Sequence, residues 1–196
     1  MKTIPQHNFI IKAHSLTNLF EGVREMSTFM YRLEKDSLID PDRYDPDKYK
    51  GDGFEFFVEL FLMLHPCDRR TGVYEYEPTQ ENDNGVDGIG KNIIGDPCVV
   101  QIKFRGNPLY RLTATDDHLS NMFSDGSLVY GVNVDNKNRR NYRHFIFTTG
   151  AGLNFYTEKE FFKSKVKCFG FNDFKMMLHN NIPFWTTALD IVKNLK

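Results

Sequence analysis

The sequence predicts one mixed α/β domain, and three observations predict it. Apolar residues recur at helical spacing near both ends of the chain. Short runs of strand type fill its middle, and turn-forming steps such as Asp83-Asn84-Gly85 and Gly95-Asp96-Pro97 separate them. The length of 196 residues suits a single domain, residues 1–196, with a core at about 50–150 and helices added at the two ends.

Taken in order, Leu16, Leu19, Phe20, Val23, Met26, Met30 and Leu33 predict an amphipathic helix over residues 15–34. The Pro- and Asp-rich stretch of residues 40–47 reads as a loop. Gly51-Asp52-Gly53 then opens a second helix. Phe54, Phe57, Val58, Phe61 and Leu62 form its main stripe, with Phe56, Leu60 and Met63 covering most of the rest. A helix apolar nearly all round is a buried one. Glu55 and Glu59 share its one polar sector, as a solvated edge, as partners for basic groups, or as a carboxylate aimed into a cleft.

Strands are expected at residues 72–76, 86–89 and 98–104, with a hairpin between the last two. Thr115 is placed to cap a helix holding Leu119, Met122 and Phe123. Residues 128–134, 144–149 and 165–170 read as further strands. Asn172 is placed to cap a helix through Leu178, and residues 184–195 supply a last one.

Composition and termini exclude several classes. With 40% hydrophobic and 26% charged residues, 18 Phe and 9 Tyr, the chain is neither disordered, collagen-like nor a membrane protein. The run from Phe54 to Leu64 is too short for a bilayer span and carries two acids. Residues 1–8 contain no signal-peptide core. The 3 Cys are far apart and the 6 His scattered, so neither a zinc site nor a disulfide framework is indicated, and an intracellular, cytoplasmic location is expected. A net charge of -1, from 25 Lys and Arg against 26 Asp and Glu, excludes an overtly basic nucleic-acid-coating protein but not a local basic face.

One constellation carries chemistry. Asp87 sits in Asn84-Gly85-Val86-Asp87-Gly88-Ile89-Gly90, whose glycines would let a metal or a backbone approach closely. Gln101 and Lys103, two apart on a strand, project to one face. A hairpin would set Asp87 beside Gln101, and Glu55 lies near the start of the buried helix. Hydrolysis of a phosphodiester builds charge on phosphoryl oxygens, which Mg²⁺ held by oxygen ligands neutralises. Asp87 is the natural anionic ligand, with the Gln101 amide oxygen and the Ile102 carbonyl beside it, while Glu55 would hold a metal-bound water. Lys103 would orient the nucleophilic water or stabilise the transition state.

Together, Gly53-Phe54-Glu55, Gly85-Val86-Asp87-Gly88 and Val100-Gln101-Ile102-Lys103 resemble the core of the PD-(D/E)XK nuclease superfamily, most of all its Mrr-like restriction endonuclease branch. The later runs Arg105-Gly106-Asn107 to Thr113 and His144 to Gly150 are similar to that branch more loosely. The resemblance implies a restriction-endonuclease-like fold, a central mixed sheet flanked by helices. It also implies metal-dependent cleavage of DNA, with Glu55, Asp87, Gln101 and Lys103 as functional residues. Gln101 stands where the wider superfamily has an acid, which removes one anionic ligand.

DNA is the implied partner and Mg²⁺ the implied cofactor, with Mn²⁺ as a substitute. Candidate phosphate contacts are Arg105 and Arg111 just past the motif, then Lys137, Arg139, Arg140 and Arg143 in an Asn-rich loop. Lys159, Lys163, Lys165 and Lys167 form a further basic cluster. Two-strand cutting usually takes two active sites, which a homodimer would supply. Restriction, homing and repair or recombination roles all fit. A nuclease-fold DNA-binding module without catalysis, with Gln101 as its symptom, is the rival reading. A protein-interaction domain is the third.

Overall fold

The computed structural model describes residues 16–39, 45–64, 70–79, 85–113, 115–132, 142–162 and 166–194. It is mixed α/β. The chain runs through α1 (Leu16–Phe20), α2 (Met26–Ser37), α3 (Pro46–Leu64), β1 (Tyr74–Pro78), β2 (Gly88–Lys91), β3 (Pro97–Lys103) and β4 (Arg111–Leu112). There follow α4 (Asp117–Asn121), a π-helical turn (Met122–Gly126), α5 (Ser127–Val129), β5 (His144–Thr148), β6 (Gly152–Leu153), α6 (Phe155–Phe162), β7 (Val166–Phe169), α7 (Phe171–Met177) and α8 (Ile182–Lys193). Two compact units result: Met1–Leu60 with Asn172–Lys196, and Phe61–Phe171.

The first unit is helical around an aromatic core. Phe29 and Phe57 lie 4.8 Å apart, Phe57 stacks on Trp185 at 5.8 Å, and Phe54 meets Phe174 edge-on at 5.9 Å. The single helix expected over 15–34 is instead two, α1 and α2. Gly22 takes a φ of +69° and Val23 N–H closes a turn on the Phe20 carbonyl, which ends the first helix. Helix α3 starts five residues before the expected Gly51. The Asp45 carboxylate accepts the Asp47 and Lys48 amides at 2.8 and 3.3 Å and Pro46 opens the first turn, a stronger start signal than the glycines. The rest of the expected 40–47 loop lies outside the described residues. Helix α8 begins at Ile182, two residues before the expected start, because the Asn181 side chain caps the Phe184 amide. Asn172 lies inside α7, which starts at Phe171.

In the second unit a five-stranded sheet has the order β1-β2-β3-β5-β7. β1, β2 and β3 are antiparallel neighbours, while β3, β5 and β7 are parallel. Register sets Val99, Gln101 and Lys103 opposite His144, Ile146 and Thr148, so these six residues share one face. On that face Val99 and Ile146 pack with Leu119 and Met122 of the α4–π segment. β4 and β6 form a separate two-residue parallel ladder, Arg111 opposite Gly152 and Leu112 opposite Leu153.

Two expectations in this unit are corrected, and one helix is added. Residues 128–132 are not a strand: α5 ends at Val129, Gly131 adopts a φ of +65°, and Val132 N–H returns to the Ser127 carbonyl at 2.8 Å. A glycine helix cap thus takes a run that reads as strand. Residues 133 and 134 lie outside the described residues. Thr115 does not cap α4. Its hydroxyl meets Thr113 Oγ1 at 3.0 Å, and Leu119 N–H bonds the Asp116 carbonyl instead. Helix α6 was not anticipated; the Asn154 side chain accepts the Thr157 amide at 2.7 Å and opens it. Among the described residues no helix is long and apolar enough to cross a membrane.

Candidate active site

The β2–β3 hairpin positions the site. Its turn is organised by Asn92, whose side-chain oxygen accepts the Ile94 and Asp96 amides at 3.1 and 3.0 Å, while Gly95 takes a φ of +86°. The resulting register pairs Gly90 with Cys98, Ile89 with Val99 and Gly88 with Val100. The expected strand at 86–89 starts two residues later, at Gly88, so Asp87 lies just outside the ladder, where continuing the register would set it opposite Gln101.

Asp87 closes the hairpin. Its amide donates to the Val100 carbonyl at 2.9 Å, and its Oδ2 accepts the Ile102 amide at 2.5 Å. Ile102 lies two residues past the last β3 residue opposite β2, so a side chain supplies the acceptor where strand pairing stops. The glycines beside Asp87 serve β1. A Cβ on Gly88 would stand 2.2 Å from the Tyr76 ring, and one on Gly90 would stand 2.8 Å from the Tyr74 carbonyl oxygen. Of the two approaches expected there, protein fills the space.

Gln101 is 2% exposed, and its Oε1 has no hydrogen-bond partner. An unsatisfied buried amide oxygen costs about 1–3 kcal/mol, so this atom wants a cation or a donor. The set of Asp87 carboxylate, Gln101 amide oxygen and Ile102 carbonyl is all oxygen and carries one negative charge. It therefore fits a hard divalent ion such as Mg²⁺ or Mn²⁺ as a weak site completed by water. Among the described residues no three His, Cys, Asp or Glu side chains group to hold a metal, so any such site depends on amide and backbone oxygens.

No known family, curated protein or solved structure matches this chain. The chemistry rests on the residues themselves.

Lys103 ends β3 opposite Thr148, half-buried, two residues from Gln101 on the same face. Beyond it the two runs quoted for the resemblance lie against each other. Thr149 N–H bonds the Lys103 carbonyl at 3.3 Å, and the Thr149 hydroxyl accepts the Arg105 amide at 2.6 Å and donates to the Arg105 carbonyl at 2.8 Å. Glu55 is half-buried on α3, in the first unit. Its neighbour in the polar sector, Glu59, is fully buried, so that sector is not a solvated edge.

The candidate DNA contacts separate. Arg105 lies 3.5 Å from Asp116 and over the Tyr110 ring, 5.3 Å from its centroid. Arg111 is exposed and donates to the Leu153 carbonyl at 2.8 Å. Both stand past the end of β3 that carries Lys103. Arg143 stands at the other end, ion-paired with Asp96 at 2.5 Å, its carbonyl accepting the Val99 amide. By the β3–β5 register, Arg143 stands three residues of strand from Gln101 and five from Lys103, roughly 10 and 17 Å. Lys137, Arg139 and Arg140 lie outside the described residues, as do Lys163 and Lys165. Lys167 is tied to the Arg70 and Thr71 carbonyls.

Sequence reasoning missed a buried pair on the site's own face. His144 is fully buried, with Nε2 2.7 Å from Ser127 Oγ, which donates to the Met122 carbonyl at 2.9 Å. With the serine proton so used, Nε2–H is the donor, and Nδ1 is left without a partner. Burial, and next the charge of Arg143, lower the His144 pKa to about 4. The 17-residue separation and the intervening π-turn give no sequence signal for this contact. Cys98 offers no nucleophile, since burial pushes its thiol up to about 12.

Proposed function

We propose that this chain is a Mg²⁺-dependent DNA endonuclease of restriction-endonuclease-like fold. The observation that carries the reading is the unpartnered, buried Gln101 Oε1, one residue before the Ile102 amide that the Asp87 carboxylate holds, with Lys103 two residues on along the same face. Asp87, Gln101 and the Ile102 carbonyl would hold the ion, which would neutralise phosphoryl charge and lower the pKa of a bound water. Asp87 keeps the negative charge at the metal while its Oδ2 fixes the strand end. Lys103 orients the attacking water and stabilises charge building on the phosphate. Arg105 and Arg111 contact the backbone of the DNA just beyond. Glu55 lies on α3 in the other unit.

Plasmid cleavage with and without Mg²⁺ tests this. Wild type is expected to nick or linearise DNA only with metal. Asp87→Ala and Lys103→Ala are each expected to lose at least a hundredfold in rate. Equal activity in all three proteins would sink the assignment.

A second reading, a DNA-binding module of this fold without catalysis, is favoured by the single acid in the ligand set and by the engagement of Asp87 Oδ2 with Ile102. It predicts salt-sensitive DNA binding, no metal-dependent cutting and indifference to Lys103→Ala.

A further inference from the structure

A strip of exposed rings with two guanidinium groups, Arg111 exposed and Arg105 half-buried, leads away from the Lys103 end of the sheet. Arg105 sits over Tyr110, the Tyr110 carbonyl accepts the Ala151 amide at 2.7 Å, and Arg111 reaches the Leu153 carbonyl. The β4–β6 ladder carries the strip roughly 10 Å on to the start of α6. There Phe155 and Tyr156, 70% and 82% exposed, meet ring to ring at 5.8 Å. Tyr110 is itself 39% exposed. Aromatic side chains this open lack the burial that usually justifies them, and in one place they mark a binding surface.

Two chemistries coincide along the strip: flat apolar faces, and the cations of Arg105, Arg111 and the exposed Lys159. The nearby acid Asp116 is engaged by Arg105, the Thr113 amide and Tyr110 Oη. Glu158 is exposed beside Lys159. Stacking faces interleaved with phosphate-binding cations match single-stranded nucleic acid, whose unpaired bases offer π-faces and whose backbone offers charge. A duplex hides its bases from such rings.

We propose that the strip Arg105, Tyr110, Arg111, Phe155 and Tyr156 binds single-stranded DNA by stacking its unpaired bases. It would thereby direct the Asp87–Lys103 site to junctions between paired and unpaired strands. The binding stands on these residues alone; the coupling to cleavage rests on the nuclease reading.

Fluorescence anisotropy in EDTA with a labelled oligo(dT) and a blunt duplex of equal length tests the binding. Wild type is expected to bind oligo(dT) at least tenfold more tightly than the duplex. Phe155→Ala with Tyr156→Ala is expected to lose tenfold or more on oligo(dT) and little on the duplex. Arg111→Gln is expected to shallow the salt dependence by about one contact. Equal affinity for both ligands, or an unchanged oligo(dT) affinity in the double variant, overturns the proposal. So does a wild-type dimer that the double variant loses while oligo(dT) binding is kept, since the strip would then be a self-association face. In Mg²⁺, wild type is expected to cut a flapped duplex faster than a blunt one, and the double variant to cut both alike. Tight oligo(dT) binding without any cutting supports the strip and removes the nuclease reading instead.

Discussion

At Asp87 a carboxylate stands where strand pairing runs out and holds the Ile102 amide, on the hairpin whose other strand carries the buried Gln101. Its place depends on Gly88 next to it, because the Tyr76 ring fills the space where a Cβ would go. Gly88→Ala is therefore expected to destabilise the protein by about 1–3 kcal/mol in urea unfolding. The penalty should shrink when Tyr76 is also cut to Ala, since the double-mutant cycle isolates the clash. A cost below about 0.5 kcal/mol would contradict the packing. Asp87, Gln101 and Lys103 were legible in sequence because period-2 alternation and a two-sided turn signal place them without reference to the rest of the chain. The tasks of Gly88 and Gly90 were not, because Tyr74 and Tyr76 come from a strand whose bulged register at Tyr74–Glu77 no local pattern announces.

Elements whose ends carry a side-chain or glycine cap behaved differently from those read by periodicity. The α3 stripe was legible because Phe54, Phe57, Val58, Phe61 and Leu62 are each at most 1% exposed. Residues 128–132 were misread because a short apolar run suits strand and helix alike, and Gly131 decides between them only through its positive φ. The segment they close, the π-turn and α5, is fastened to β5 by Ser127 and His144. His144 is held neutral, with a folded pKa of about 4 below its unfolded value of about 6.5. A depressed histidine pKa means the unfolded chain takes up the proton first. The stability it protects is thus present above pH 6.5 and lost as pH falls toward 4. Between pH 7 and pH 5 this amounts to about 2 kcal/mol. Urea unfolding at the two pH values should show that loss in wild type and a smaller one in His144→Gln. Identical pH dependence would contradict the buried neutral imidazole.

For the whole molecule, the net charge of -1 hides extensive local pairing. Arg143 with Asp96, Lys91 with Glu75, Lys50 with Glu34 and Asp47, and Arg105 with Asp116 each join opposite charges. Such pairing leaves little field to hold DNA indiscriminately, so under the proposed function affinity would come from the site, a bound metal and the strip beyond it. The mixed α/β class could be read from the order of elements. The division at Leu60 and Phe61 could not, because it falls inside a helix whose periodicity runs unbroken across it.

In the proposed nuclease, Asp87 and Gln101 together would hold a divalent cation. Thermal unfolding over a Mn²⁺ titration measures it directly, in wild type, Asp87→Asn and Gln101→Leu. At a hundred times Kd, binding adds about 2.7 kcal/mol, which for a chain of this size raises Tm by roughly 5–10 °C. Wild type is predicted to show that saturable rise, and both variants to lose it while keeping their metal-free transition. No rise in wild type, or an equal rise in all three, would contradict the account.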